Sequence, residues 1–126
     1  MPIYYTQEFK TKNDKTFLVG MNWYRNAHYF ISNTVKKERH ELVCSQVGPS
    51  PAEKIQQYKL HITLYYKNPN CDGSNISSLV EKYVLDAIQE HGVVENDNVK
   101  YHLGTTWEIG GQDKENPRAK VIIKEI

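Results

Sequence analysis

The sequence predicts an α+β domain in which two helices pack on a mixed sheet, with elements in the order ββαβαββ. Three observations predict it. Residues 58–66 (YKLHITLYY) alternate polar and apolar about Leu60, Ile62 and Leu64, the two-residue period of a strand. Residues 75–91 carry apolar side chains at helical spacing and stop at Gly92, a residue suited to the position just past a helix. Two more β-rich runs, 98–108 and 119–125, follow.

In chain order, residues 3–10 (IYYTQEFK) and 16–21 (TFLVGM) are β-rich and flank the polar stretch 11–15, which reads as a hairpin. Residues 22–33 are aromatic and polar without clear periodicity, an ordered loop leading to a helix capped by Asn33 or Thr34. That helix runs to about Val47, where Gly48-Pro49-Ser50-Pro51 stops it. Residues 67–74, with Pro69, Asn70 and Gly73, form a turn between strand and helix. Residues 109–117, with Gly110-Gly111 and Pro117, read as a loop joining the last two strands. No repeat or linker divides the chain, so residues 1–126 are expected to form a single domain.

Composition narrows the function classes. Apolar residues make up 39% and charged ones 25%, the balance of a globular domain rather than a disordered or fibrous one. No run approaches the roughly 20 apolar residues of a membrane span, and Met1-Pro2-Ile3-Tyr4-Tyr5 lacks the design of a signal peptide. A soluble, cytoplasmic protein with no membrane partner is expected. Cys44 and Cys71 have no CxxC spacing and no histidines at ligand intervals, so both read as free thiols and the histidines as structural or surface residues rather than zinc ligands. Net charge is only +1, but it is polarised: ten Lys/Arg against five Asp/Glu in residues 1–70, six against ten in residues 71–126. A basic half suits a phosphate backbone, and an acidic half gathers divalent cations.

The acidic half holds the informative stretch, 71–101. At about 100° per residue, Asn75, Lys82 and Asp86 fall on one polar stripe of the second helix, with Ile76, Val80, Tyr83, Val84, Ala87 and Ile88 opposite. Asp72 lies just before this helix and Asp97 five residues beyond Gly92. If the chain folds back, both carboxylates approach one cavity and hold Mg²⁺, which takes a few carboxylate oxygens and keeps several waters. The plain alternative is an amphipathic surface helix with a Lys82–Asp86 pair, Asp72 as its N-cap and Asp97 in a solvated turn.

The ordered positions Asp72-x-x-Asn75, Lys82, Asp86-Ala87-Ile88, Gly92 and Asn96-Asp97 resemble the signature of the RusA family of Holliday-junction endonucleases. The segment Asn22-x-x-Arg25-Asn26 and the pair Lys36-Lys37 resemble that family's N-terminal half, so the likeness runs from about residue 16 to 125. It implies a RusA-like homodimer that makes paired, Mg²⁺-dependent cuts in branched DNA, with Mn²⁺ as a substitute, in recombination or repair. A phage-encoded member would act in the host cytoplasm. By position, Asp72 and Asp97 would be metal ligands, Lys82 the phosphate-facing cation, Asn75 a positional amide, and Asp86 a structural partner. Ser74 and Asn96 stand where the family has acids, which makes Glu95 the compensating ligand. The same two departures define the alternative of a junction-binding protein that has lost catalysis. Near-neutral charge leaves a third, a protein-interaction module. The DNA surface would combine Arg25, Lys36, Lys37 and Arg39 with Trp23 and Tyr24, cations on phosphates and aromatics on unpaired bases.

Overall fold

In the computed structural model, residues 2–6, 8–10, 16–18, 29–47, 53–70 and 72–126 are described, with side chains over 33–47, 53–70 and 72–126. The organising strand is β4 (Tyr58–Tyr66), the run with the cleanest alternation in the sequence. Tyr58, Leu60, Ile62 and Leu64 are buried on one face, while Lys59, His61, Thr63 and Tyr65 point to the other. On one side β4 pairs in parallel with β5 (His102–Gln112), and on the other it pairs antiparallel with β6 (Arg118–Glu125). The first strand, β1 (Pro2–Thr6), adds to the far edge of β6, giving the order β1-β6-β4-β5.

The N-terminal expectation holds in part. Residues 8–10 and 16–18 do pair antiparallel, as β2 (Glu8–Lys10) and β3 (Thr16–Leu18). The run 3–10 is nevertheless two strands, because Pro2–Thr6 joins the main sheet instead of the hairpin. Among the described residues, three short strands therefore precede the helix that begins at Tyr29, one more than the ββαβαββ order allows.

That helix, α1 (Tyr29–Val47), begins four residues before the Asn33/Thr34 cap expected from the sequence, which places both residues inside it. Its end, Val47, matches the expected one, and the stop signal at 48–51 lies outside the described residues. Val35, Arg39 and Val43, four residues apart, form its fully buried stripe. An arginine on the inward face is what blurs the apolar period of this helix. Cys44 is a free thiol, raised above its usual pKa by burial and by the nearby charge of Glu90. Cys71 lies outside the described residues.

The second helix, α2 (Gly73–Glu90), buries Ile76, Leu79, Val80, Tyr83, Val84, Ala87 and Ile88 and carries the chain from β4 to the parallel β5. Its N-terminus is capped by Asp72, whose Oδ1 accepts the Asn75 backbone N–H at 3.2 Å. Its C-terminus closes as a Schellman turn: Val93 N–H donates to the Ile88 carbonyl at 2.9 Å and Gly92 N–H to the Gln89 carbonyl at 3.1 Å. Gly92 takes the left-handed conformation this turn requires, φ 83°. Both helices cover the inward face of the sheet, and among the described residues no helix is long and apolar enough to cross a membrane.

Strand β5 has the expected length but lies four residues later than the sequence predicts, and so absorbs Gly110-Gly111. The glycines read as a chain break mark a close approach: a Cβ at Gly110 would lie 2.8 Å from the Tyr65 ring and 2.8 Å from Thr63. Only 113–117 remain as the connection to β6, and Asp113 ties it down. Its Oδ1 accepts the Asn116 N–H at 3.0 Å and its Oδ2 meets Arg118 Nη1 at 2.7 Å. Those bonds, the Asn116 N–H foremost, hold the Asp113 carboxyl below the ordinary range. Arg118 in turn stacks on Tyr65 at 4.1 Å from the ring centroid.

Candidate functional site

The residues singled out in 71–101 are distributed along α2 rather than gathered at one point. Asp72 is exposed at the N-terminal end. Ser74, also exposed, uses its carbonyl to accept the hydroxyls of Ser77 and Ser78, at 3.2 and 2.8 Å. Gly73 is covered by the Trp107 ring; a Cβ there would stand 2.7 Å from it, so only glycine fits this first turn as packed. Beside it opens a hollow of about 400 Å³ lined by Tyr66, Pro69, Gly73, Trp107 and Ile109.

Lys82 occupies the middle of α2. Its Nζ lies 3.8 Å from Asp86 Oδ2, an i,i+4 pair in which both side chains are partly exposed. Asn75, Lys82 and Asp86 share one flank, as the helical spacing predicts, and all three are half-buried. Ten residues of helix separate Lys82 from Asp72, about 15 Å along the axis, and seven separate it from Gln89, about 10 Å. The ammonium therefore accompanies Asp86 and stands beside neither candidate metal ligand.

Asp97 sits beyond the other end. The Gln89 side-chain amide lies 3.1 and 3.2 Å from its two carboxylate oxygens and donates to them when the amide nitrogen is turned toward Asp97, and the Asp97 N–H donates to Asn96 Oδ1 at 2.7 Å. Tyr58, the first residue of the core strand, donates its hydroxyl to the Asn96 carbonyl at 2.9 Å. Burial, followed by the negative charge of Asp97, pushes the Tyr58 phenol up to about 12. Glu95 is exposed nearby, with Oε2 3.5 Å from Gln56 Nε2.

The joint cavity expected for Asp72, Asp97 and Glu95 is therefore absent from a single chain. Seventeen residues separate Asp72 from Gln89, almost all of them a continuous helix, which holds the two carboxylates about 25 Å apart. A straight helix does not fold back on itself, and the segment after it turns toward Ile55 and Tyr58. Among the described residues, no three His, Cys, Asp or Glu side chains converge as metal ligands.

The expected DNA surface is also redrawn. Arg39 is fully buried on the inward stripe of α1, its guanidinium against the Glu38 carboxylate, and cannot meet a phosphate. Lys36 and Lys37 are exposed on the same helix. Trp23, Tyr24 and Arg25 lie outside the described residues.

What the motif reading missed is the outward face of the sheet. Lys59 from β4 and Lys124 from β6 are direct cross-strand neighbours, and Lys120 and Arg118 continue the same row of β6. On this face His61 shares a 2.6 Å hydrogen bond with Thr106 through Nδ1, and its Nε2 lies 3.1 Å from Glu108. The signal was available: Arg118, Lys120 and Lys124 recur at even spacing in the last strand, and Lys59 is out of phase with Leu60 and Ile62.

Compared with models of known protein families and with characterised proteins, the chain matches none.

Proposed function

We propose that this chain is a metal-dependent endonuclease for branched DNA, of the RusA type, whose catalytic set is completed only in a two-fold homodimer. The observation that carries the reading is the placement of Asp72 and Asp97 at opposite ends of one helix, each held in place. Asp72 is fixed by its cap and Asp97 by Gln89. An isologous dimer with its two α2 helices antiparallel sets each Asp72 beside the partner's Asp97, giving two equivalent sites, as paired incisions need.

One chain alone does not fit a Mg²⁺ ion; the composite pair does. Asp72 has a carboxylate oxygen to spare beyond its cap bond, Asp97 offers both of its own, and Glu95 is exposed two residues away. Mg²⁺ or Mn²⁺, when bound, supplies a nucleophilic water and charge stabilisation at the phosphate. The chain's own groups do the rest. Lys82, at the helix centre, provides positive charge between the two sites, with Asp86 fixing its side chain. Lys36 and Lys37 add exposed cations. A second copy also has a surface to cover: Trp107 and Ile109 are exposed along β5, which among the described strands is the edge of the sheet.

Subunit complementation is the test. Asp72→Asn and Asp97→Asn homodimers are each expected to leave a synthetic four-way junction uncut with Mg²⁺. Mixed and allowed to exchange, they should regain about a quarter of the wild-type sites, since half the dimers are mixed and each mixed dimer holds one intact pair. Two inactive variants that stay inactive after proven exchange would remove the composite site. Wild-type protein that binds the junction but never cuts it with any divalent metal favours the second reading, a junction-binding protein without catalysis. The exposed Ser74 in place of an acid is the observation on that side.

A further inference from the structure

At the end of the outward sheet face where β4 and β5 begin, three strands surround a hollow of about 290 Å³. Lys59 and Lys124 line it from β4 and β6, and Gly104, Thr105 and Thr106 from β5. The hollow exists because β5 is bulged: Tyr58 faces His102 but Leu60 faces Thr105, so one extra residue is inserted at Leu103–Gly104 and stands outside the regular ladder. A Cβ built on Gly104 would meet nothing within 4 Å, so the space above the bulge is open.

The two lysines are directly opposed across antiparallel strands, an arrangement that like charges normally avoid. Neither has a carboxylate within salt-bridge distance among the described residues. The nearest acid on this face, Glu108, is engaged by His61, whose other nitrogen holds the Thr106 hydroxyl at the rim of the hollow. Two ammonium groups with no carboxylate partner among the described residues thus stand at an open hollow, whose lining is completed by Leu60 and Leu103. Lys120 extends the positive face along β6 beyond Ile122, while Arg118, the next residue of that row, is paired with Asp113.

We propose that this hollow seats a backbone phosphate of duplex DNA, so that the open face of the sheet carries one arm of the substrate away from the cutting site. This inference rests on the reading of the protein as a DNA-processing enzyme. It adds an anchoring point that neither the motif at 71–101 nor the basic helix provides. Phosphate is favoured over an acidic peptide because Lys59, Lys120 and Lys124 share one sheet face, with Ile122 between the two β6 lysines, so the positive charge is spread along a line as backbone phosphates are.

The test measures binding of a fluorescent duplex and a four-way junction in EDTA, by anisotropy, over a series of salt concentrations. The proteins are wild type, Lys59→Thr/Lys124→Thr and Lys59→Arg/Lys124→Arg. The threonine pair should weaken binding and flatten the plot of log affinity against log salt by about 0.9 for each phosphate that is no longer neutralised. The arginine pair should bind as wild type does. A thermal melt shows whether the threonine variant is folded, and Lys120→Thr, expected to give a smaller loss of the same kind, provides a second variant. If wild type binds DNA and the threonine pair binds with unchanged affinity and slope, the inference fails while the nuclease reading stands. If wild type binds but never cuts, and the threonine pair still loses affinity, the inference stands and the nuclease reading fails. No DNA binding by wild type ends both. Displacement of the duplex by inorganic pyrophosphate at far lower concentrations than by unlabelled duplex would make the hollow a small-phosphate site and overturn the DNA assignment; an acidic peptide competing better than DNA would do the same.

Discussion

The two faces of strand β4 differ in nearly every respect although their residues alternate along the same nine positions. Inward, Tyr58, Leu60, Ile62 and Leu64 are almost completely buried under α1 and α2. Outward, Lys59, His61, Thr63 and Tyr65 carry a cation, a hydrogen-bonded imidazole, a hydroxyl and a ring stacked under Arg118. A pleated strand gives each face its own set of side chains, so selection for a core and selection for a binding surface act on interleaved residues without competing. The lesson is that the apolar core and the polar, charged face are divided here by the parity of residue number, not by region of sequence.

The largest expected effect breaks the inward face. Ile62 is fully buried in the central strand, between β5 and β6. Ile62→Ala is expected to cost about 2–5 kcal/mol, from lost transfer energy plus the cavity left behind. Urea unfolding measures it, and a loss below about 1 kcal/mol would mean that this core is looser than its burial implies.

The inward face was legible in the sequence because burial on one side imposes a two-residue period, and β4 matches its expected bounds at both ends. The second helix was legible for the same kind of reason: Gly92 stops it where expected, and Asp72 caps it, as the plain alternative reading of that residue expected. Other features were hidden where a residue type has two physical uses. Arg39 reads as surface charge but is buried, because position on the helix, not residue type, decides which way a side chain faces. Gly110 reads as a loop but makes room for the Tyr65 ring. The separation of Asp72 from Asp97 was a matter of length: an uninterrupted helix of 18 residues sets its own end-to-end distance. No family likeness alters that within one chain.

A middle-sized effect sharpens the comparison at the point where the core touches the candidate site. Tyr58 is buried, yet its hydroxyl reaches the Asn96 carbonyl, and its pKa rises from about 10 to about 12. The folded state therefore keeps the proton that the unfolded chain gives up, so stability from this group is complete below about pH 10 and declines as pH climbs toward about 12. Tyr58→Phe should cost about 1 kcal/mol near neutrality, for the lost hydrogen bond, and should flatten part of the alkaline decline. Denaturation at neutral and alkaline pH checks both; an alkaline decline as steep as the wild type's would show that the phenol is not the group responsible.

The smallest effect carries the opposite sign and separates the two faces most cleanly. Lys59 opposes Lys124 across the β4–β6 ladder with no carboxylate in reach among the described residues. Like charges directly opposite one another destabilise a sheet by roughly 0.2–1 kcal/mol, and threonine is a better strand former than lysine. Lys59→Thr should therefore stabilise the fold by a few tenths of a kcal/mol, most visibly at low salt, where the repulsion is least screened. If the same substitution weakens DNA binding, the pair is retained for recognition at a cost in stability, the trade expected of a working surface. If it lowers stability instead, the lysine stem is packing on the sheet, and the outward face has a structural role like that of the inward one.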